Sequence, residues 1–333
     1  MAYTIGIDVS KSKLDAARLD CACRRDVDQV KSKHKSFKND PDDFGSLLTW
    51  AENLASRGCQ DIVFIVEPTS IYHERLVEFL HESGTSVYLV NPGKVRKFAE
   101  GIGILSKNDV VDADLLSQYG LMAKKLIPFE PLPQEISTLR SFLNRLDRLE
   151  RNLRRELNRP EKVGKTSVFH IFEERSIERF VKQHKVEIKR FKKFIREMIK
   201  KSSPLQEDYE LLISIPGVGE KTAWIMLVIL KSRAFGSAQE VASFLGLNPI
   251  EKRSGTTEYR RPRLSKSGNS LFRQALFFPA MVATSKNPDI KAQYERLLAN
   301  GKSKMCANGA AMRKLVHICY GVVKNQSPYE VQI

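Results

Sequence analysis

The chain has 333 residues, of which 42% are hydrophobic and 28% are charged, and its formal net charge is +16 at pH 7. A chain of this length predicts about two domains, each able to bury a core of its own. No run of eighteen apolar residues is present, so the sequence predicts no transmembrane helix. The start MAYTIGIDVSKSKLD lacks the basic and apolar regions of a signal peptide.

The positive charge is sorted along the chain. Residues 1–133 carry 17 Lys and Arg against 19 Asp and Glu, residues 134–203 carry 20 against 10, and residues 204–333 carry 18 against 10. Solubility alone does not require that the excess of positive charge be confined to one part of the chain. The sorted charge therefore indicates a polyanionic partner such as nucleic acid.

The cysteines form an odd, scattered set without zinc-finger spacing: Cys21, Cys23, Cys59, Cys306 and Cys319. They predict free thiols in a cytoplasmic protein and no structural zinc.

The first region alternates between strand and helix patterns. YTIGIDV, KLDAARLD and VKSKHKSFKN predict three strands, and a helix follows from Pro41 to Gly58. DIVFIVEP and SVYLVNP predict two further strands separated by a helix that ends at Gly84, and helices are expected around 93–100 and 109–124. Three strands followed by alternating helix and strand is the order of the α/β ribonuclease-H-like fold. We assign residues 1–130 to such a domain.

Four carboxylates fall at strand ends and at a helix start in this arrangement. Asp8 ends the first strand, Glu67 ends the fourth, and Asp109 and Asp112 share one face of the last helix. The first and fourth strands of this fold are neighbours, so the four side chains are expected to converge. Because converging carboxylates repel each other, the pattern predicts a site for Mg²⁺ or Mn²⁺ that works on a phosphodiester backbone.

Each carboxylate also has a structural interpretation. Asp8 could cap a turn, Glu67 could pair with a lysine, and Asp109 could cap its helix with Asp112 in the first turn. GIDVSKSK also resembles the phosphate turn of sugar kinases and actin-like ATPases. Those proteins need a second glycine-rich phosphate turn, which the later sequence does not offer.

Residues 131–203 predict a basic helical hairpin. Apolar residues recur at three-and-four spacing on both sides of Pro160 and Gly164, which is typical of an antiparallel coiled coil. Such an arm can be a packed spacer, a dimerisation element or a nucleic-acid contact. The nucleic-acid hypothesis names Lys189, Lys192, Lys193 and Arg196.

Residues 204–333 predict a mostly helical domain with two chemical segments. LLISIPGVGEKTA has the helix-hairpin-helix pattern, in which Gly217, Gly219, Lys221 and Thr222 are expected to grip a DNA backbone. The second segment, residues 244–276, is a basic loop by its composition. Its cations are Lys252, Arg253, Arg260, Arg261, Arg263 and Lys266, and its hydroxyls are Ser254, Tyr259, Ser265 and Ser267. A hydroxyl among these cations could attack phosphorus, but the spacing does not separate this possibility from simple phosphate contact.

Taken in order, YTIGIDVSKSKLD, VEPTSIYH, SKNDVVDADLL, LLISIPGVGEKTA, FLGLNPIEKRSGTT and LSKSGNSLFRQAL resemble the DEDD-type insertion-sequence transposases across essentially the whole chain. These include Piv-type DNA invertases and recombinases guided by a bridge RNA. The resemblance implies a RuvC-like domain, a coiled-coil arm and a transposase domain with a catalytic serine. It puts the quartet on Asp8, Glu67, Asp109 and Asp112 and the serine on Ser254, with Ser265 and Ser267 as alternatives.

The resemblance also implies an activity and partners. The protein is expected to cleave and exchange strands between element DNA and target DNA through a phosphoserine link, as a dimer or tetramer paired with a noncoding guide RNA. Family members have a glycine-richer stretch where this chain has TTEYRRPR. Two other classes stay open: a junction-resolving endonuclease that uses water, and a non-catalytic scaffold that binds nucleic acid.

Overall fold

The computed structural model of the protein describes residues 2–19, 32–55, 61–106, 108–123, 126–159, 169–254 and 258–332. The chain divides into two compact units, Met1–Pro131 and Leu132–Ile333. The predicted helical hairpin and the predicted C-terminal domain therefore fall in one unit. No helix of the residues just given is long and apolar enough to cross a membrane.

The first unit is built on a mixed five-stranded sheet. Its strands are β1 (Ala2–Val9), β2 (Lys13–Leu19), β3 (Lys33–Lys38), β4 (Asp61–Val66) and β5 (Ser86–Leu89). They lie in the order β3-β2-β1-β4-β5, with β1, β2 and β3 antiparallel and β4 and β5 parallel to β1. Its helices are α1 (Pro41–Ala55), α2 (Glu74–Glu82), α3 (Pro92–Gly101) and α4 (Asp109–Met122). This topology confirms the ribonuclease-H-like fold and the predicted neighbourhood of the first and fourth strands.

The alternation along β1 decides what each face of the sheet does. Ile5, Ile7 and Val9 point into a core shared with α1 and α2. The intervening residues of β1 point to the opposite face, because successive side chains of a strand alternate. That opposite face is covered by α4 and carries Asp8.

In its described residues, the second unit is helical apart from one strand pair. Its helices are α5 (Gln134–Leu157), α6 (Phe169–Lys201), α7 (Ser203–Ile213), α8 (Glu220–Leu230), α9 (Ala238–Phe244), α10 (Ser270–Lys286), α11 (Pro288–Ala299) and α12 (Lys304–Asn325). The apolar α8 lies at the centre, with Trp224 fully buried. Helices α5 and α6 pack antiparallel, with the rings of Phe142 and Phe191 6.0 Å apart, and their apolar stripes join the core of the C-terminal helices.

The serine-containing segment differs from the expected loop. Residues Pro249–Ser254 form β6 and Glu258–Leu264 form β7, and the two strands pair antiparallel with an irregularity between Ile250 and Lys252. Dense charge and Pro262 hide a strand pattern in the sequence. The ladder forms nonetheless because two strands satisfy each other's backbone groups.

Candidate active site

Helix α4 lies directly against β1 because two glycines leave room for it. A Cβ added to Gly6 would lie 2.1 Å from the Ala113 carbonyl oxygen, and one added to Gly120 would lie 2.5 Å from Thr4 Cγ2. Between these points the buried Ser117 hydroxyl donates a hydrogen bond of 2.6 Å to the Thr4 carbonyl oxygen. The helix is thus fixed on the strand by close backbone contact.

This contact decides which residues meet further along. Helix and strand run in opposite directions, and two strand residues advance about 6.6 Å while four helical residues advance about 6 Å. Two residues beyond Gly6 the strand reaches Asp8. Four residues before Ala113 the helix reaches Asp109, with Asp112 one turn away on the same face. The register therefore brings the carboxylates of β1 and α4 together.

The electrostatics of Asp8 reflect this meeting. Its pKa is raised above the usual range, first because the carboxyl is partly buried and next because Asp112, Asp109 and Asp15 place negative charge near it. A hydrogen bond from the backbone of Val9 acts in the opposite direction. The negative charge of three further carboxylates thus lies near Asp8, where a bound cation would be stabilised.

Glu67 follows β4 on the same face. The parallel ladder between β1 and β4 ends with the pair Ile7 and Val66. Asp8 and Glu67 lie one residue further along the two strands. Because successive side chains of a strand alternate between its faces, both point to the face that α4 covers, and both are half-buried there. The structure thus places Asp8 and Glu67 at the carboxyl ends of neighbouring strands, on the face that α4 covers, and the catalytic roles of the quartet stay predictions.

Asp15 is a fifth carboxylate that the sequence analysis missed. It lies opposite Asp8 in the antiparallel ladder of β1 and β2. Its carboxylate accepts a hydrogen bond of 2.6 Å from Ser36 Oγ and lies 2.7 Å from Lys13 Nζ. The pKa of Lys13 is raised by the hydrogen bond to Asp15 and by the charges of Asp15, Asp109 and Asp8. The sequence signal for this pair was the spacing of Lys13 and Asp15 in KLDAARL, since residues two apart on a strand share one face.

Two further polar residues at the start of α4 have roles outside the carboxylate cluster. Asn108 caps the helix, since its side chain accepts a hydrogen bond of 2.8 Å from the Val111 backbone, so the helix does not require Asp109 as its cap. Asp114 lies elsewhere on the helix, with its carboxylate 3.1 Å from His34 Nε2.

The carboxylates offer the hard oxygen ligands that Mg²⁺ and Mn²⁺ prefer. As they stand, no three His, Cys, Asp or Glu side chains in the described part of the chain are arranged to hold a metal ion. A metal therefore fits this site by charge and donor chemistry, provided that the side chains rotate to converge.

The serine candidates lie in the second unit. Ser254 is the last residue of β6 and pairs with Glu258 across the ladder. The side chains of residues 252–261, and thus the predicted contacts of Lys252, Arg253, Arg260 and Arg261, lie outside the described residues. The hydroxyl oxygens of Ser265 and Ser267 lie 3.2 Å apart after β7, and Arg263 and Lys266 are exposed.

A short turn joins α7 to α8, as the helix-hairpin-helix pattern predicts. Gly217 adopts φ +96°, and a Cβ there would lie 2.8 Å from the Ala283 Cα of α10. Packing within the unit is thus enough to explain this glycine. Gly219, next to the start of α8, has open space around it, whereas Thr222 is buried and Lys221 pairs with Glu150.

Three of the four predicted basic contacts of α6 have ion-pair partners inside the chain. Arg196 donates a hydrogen bond of 2.8 Å from Nη2 to Glu220 Oε2, Lys192 Nζ lies 3.7 Å from Glu150, and Lys193 Nζ lies 3.7 Å from Glu197. Lys189 makes no ion pair with a carboxylate of the described chain. Phosphate binding by this face of α6 would therefore compete with internal ion pairs.

Two family models match the chain. One, described as a transposase and built on DEDD transposases related to IS110, matches residues 5–163. The other, described as transposase of the IS116/IS110/IS902 family, matches residues 209–295. The first contains the carboxylate cluster, and the second contains the hairpin and the serine-containing strands.

Named relatives extend the match. Pilin gene-inverting proteins of Moraxella lacunata and Moraxella bovis are each 28% identical over 332 residues, which is 99% of this chain and 98% of theirs. An uncharacterised 43.6 kDa protein of insertion element IS110 from Streptomyces coelicolor is 30% identical over 36% of this chain and 30% of its own length.

Among solved structures, RuvC of Thermus thermophilus aligns with 38% of this chain and 99% of its own, at 15% identity and a TM-score of 0.28. T. thermophilus RuvC in complex with a Holliday junction substrate also aligns with 38% of this chain, at 13% identity and a TM-score of 0.27.

Proposed function

The chain belongs to the IS110 family of DEDD transposases, and from that premise we propose that Asp8, Glu67, Asp109 and Asp112 hold Mg²⁺ or Mn²⁺ for DNA cleavage. It is a DNA transposase or recombinase, an enzyme that cleaves and rejoins DNA. We further propose that strand exchange passes through a phosphoserine at Ser254 and that a noncoding RNA pairs the two DNA partners.

The register of α4 on β1 is the observation that supports the metal site most strongly. The burial of the Asp8 carboxyl and the charges of Asp112 and Asp109, which this register brings near it, together raise the pKa of Asp8. Divalent ions bound there would activate an attacking oxygen and stabilise a leaving oxygen. The protein's part is to hold the carboxylates on rigid elements.

Lys13 and Asp15 form a supporting pair beside these carboxylates. Asp15 is held by Ser36 and by Lys13, and the Lys13 side chain is half-exposed on the face that carries Asp8. Its ammonium group can contact a phosphate oxygen without leaving this face.

The serine step is supported by the family resemblance and by the basic strands around Ser254. In this step Ser254 Oγ forms a bond to phosphorus while the bond from phosphorus to a deoxyribose oxygen breaks. The serine proton leaves to a base, and the departing oxygen takes up a proton. The stretch contains no histidine, so the base that takes up the serine proton must come from outside it.

The metal proposal is tested by comparing Asp109→Asn with Asp114→Asn. Both replacements remove one carboxylate from α4, but only Asp109 faces Asp8, whereas Asp114 lies against His34. Asp109→Asn should abolish DNA cleavage and weaken Mn²⁺ binding measured by electron paramagnetic resonance. Asp114→Asn should retain both. Equal Mn²⁺ affinity in the two variants would remove Asp109 from the site.

The serine proposal is tested by denaturing the protein after incubation with element DNA and mapping nucleotide-bearing peptides by mass spectrometry. An adduct on Ser254 that is lost in Ser254→Ala is the expected result. An adduct on Ser265, Ser267 or Tyr259 would move the nucleophile. Strand exchange without any adduct would favour the water-using, junction-resolving endonuclease.

The RNA and oligomer proposals are tested on the purified protein. RNA that copurifies with it should contain loops complementary to element and target DNA, and ribonuclease treatment should abolish strand exchange. Sedimentation should show a dimer or tetramer. Undiminished exchange after complete RNA removal would refute guidance.

A further inference from the structure

A groove of about 590 Å³ lies within the second unit, between α5, α8 and α10. Helix α8 forms its floor with Ile225 and Val228, while α5 and α10 form its walls. The carboxylate cluster belongs to the first unit. Apart from Lys221 and Thr222 on the floor, the residues that line it are not among the predicted nucleic-acid contacts.

The α5 wall is strongly basic. Arg140, Arg151, Arg154 and Arg155 line it, and Asp147 is the one acidic residue among the lining residues. Asp147 lies 2.8 Å from Arg151, whereas the other three arginines make no ion pair with a carboxylate in the ranges that the structure describes. From Arg140 to Arg155 the helix extends about 22 Å. This row of guanidinium groups matches the repeated charge of a polyanion.

The α10 wall is apolar and exposed. Phe278 is 70% exposed and Leu271 is 44% exposed, although both line the groove. Phe277 contacts the Phe278 ring edge-on, with centroids 5.4 Å apart, and is itself partly buried against the core. Burying a phenylalanine side chain is worth about 1.5–3 kcal/mol. Covering this exposed ring with a flat apolar partner would therefore be favourable by a similar free energy.

We propose that this groove binds a single-stranded segment of nucleic acid, with its phosphates along the α5 arginines and an unpaired base stacked on Phe278. Proteins that hold single strands combine a cationic track for the backbone with aromatic side chains on which bases stack. The two walls supply one of these features each. A guanidinium group can also stack on a base while it contacts a phosphate.

Two other occupants fit the groove less well. A duplex keeps its bases stacked on each other, so it would satisfy the arginines and leave Phe278 uncovered. Two copies of the chain joined through this groove would cover Phe278, but they would also bring the arginines of both α5 walls close together. Like charges along the α5 wall oppose that association.

A single-stranded occupant of this groove adds to the proposed function the strandedness of a nucleic-acid partner. It rests on the proposed function only in taking the partner to be a nucleic acid. Binding is therefore measured in the presence of a chelator, where no metal-dependent cleavage takes place. A failure of this binding leaves the metal and serine proposals standing, and a failure of cleavage leaves the groove standing.

The decisive measurement is fluorescence anisotropy of the full chain with three labelled probes: a 12-nucleotide RNA, a DNA of the same sequence and the corresponding DNA duplex. Phe278→Ala should weaken binding of the single strands by about 5- to 150-fold, the range expected for loss of one stacked base, and should change duplex affinity little. The RNA and DNA arms decide which strand the groove prefers. Phe278→Trp should retain or strengthen single-strand binding.

Phe172→Ala is the matched control for the ring. Phe172 is also 70% exposed, but it lies on α6 and does not line the groove. The Phe172→Ala variant should bind all three probes with the affinity of the wild type. For the charges, replacing Arg154 and Arg155 by alanine should reduce the slope of log affinity against log salt by about 1.4 for single strands. Replacing Arg175 and Arg179 of α6 should not do so.

Three outcomes would overturn the inference. Unchanged single-strand affinity in Phe278→Ala would remove the stacking surface. An equal loss for duplex and single strands would indicate a general phosphate contact. A shift of Phe278→Ala to a smaller oligomer in sedimentation would assign this face to self-association.

Discussion

Replacing Gly6 with alanine should disable catalysis without touching a carboxylate. The added Cβ would lie 2.1 Å from the Ala113 carbonyl oxygen and 2.4 Å from the Ser117 nitrogen, both of which are backbone atoms that cannot rotate away. Helix α4 must withdraw by roughly 1.3 Å to restore ordinary van der Waals contact. Overpacking of this kind destabilises by about 1–3 kcal/mol. Asp109 and Asp112 move with the helix, and displacing reacting groups by about 1 Å lowers activity about 100-fold.

Gly45→Ala is the matched control for this experiment. Gly45 lies in α1 of the same unit, and a Cβ there would meet nothing within 4 Å. Alanine is favoured over glycine inside a helix by about 0.5–1 kcal/mol, so this variant should be slightly stabilised and fully active. Urea unfolding gives the free energies, and DNA cleavage and Mn²⁺ affinity report on the site. Wild-type cleavage and Mn²⁺ binding in folded Gly6→Ala would refute the argument that the helix register assembles the carboxylates.

Three further predictions concern the second unit. Gly217→Ala should destabilise by about 1–3 kcal/mol in urea unfolding, because of its φ of +96° and its contact with Ala283, whereas Gly219→Ala should change the free energy little; equal effects would contradict the packing interpretation. Tyr329 donates a hydrogen bond of 2.6 Å to Asp289, and burial together with this carboxylate raises the pKa of Tyr329 to about 12. Tyr329→Phe should therefore have a free energy of unfolding about 1 kcal/mol lower than the wild type at pH 8. This difference should shrink between pH 10 and about 12, because Tyr329 ionises at a lower pH in the unfolded chain than in the folded protein. A pH-independent difference would refute the hydrogen bond's role. Iodoacetamide should label exposed Cys306 and spare Cys319, whose pKa burial raises to about 12, with peptide mass spectrometry as the readout; labelling of both in the folded protein would contradict that burial.

Local patterns in the sequence were sufficient for the architecture of the first unit. Short apolar strands separated by polar turns and capped helices specify the order of elements, and that order admits few sheet topologies. Asp8, Glu67, Asp109 and Asp112 stood out because carboxylates at strand ends and on one helix face are costly unless they serve a purpose. The first argument uses only neighbours in the chain, and the second adds the strand order that the fold implies.

Tertiary structure alone decided how those residues meet and which charges are already paired. Gly6, Gly120 and Ser117 set the register of α4 on β1 through contacts between residues more than a hundred positions apart, and no local pattern marks them. The internal ion pair of Arg196 and the exposed Phe278 beside the arginines of α5 arise in the same way. Side-chain composition determines what an element can bury or bind. Which partner it meets depends on the packing of elements distant in sequence, because close packing is a property of the whole unit.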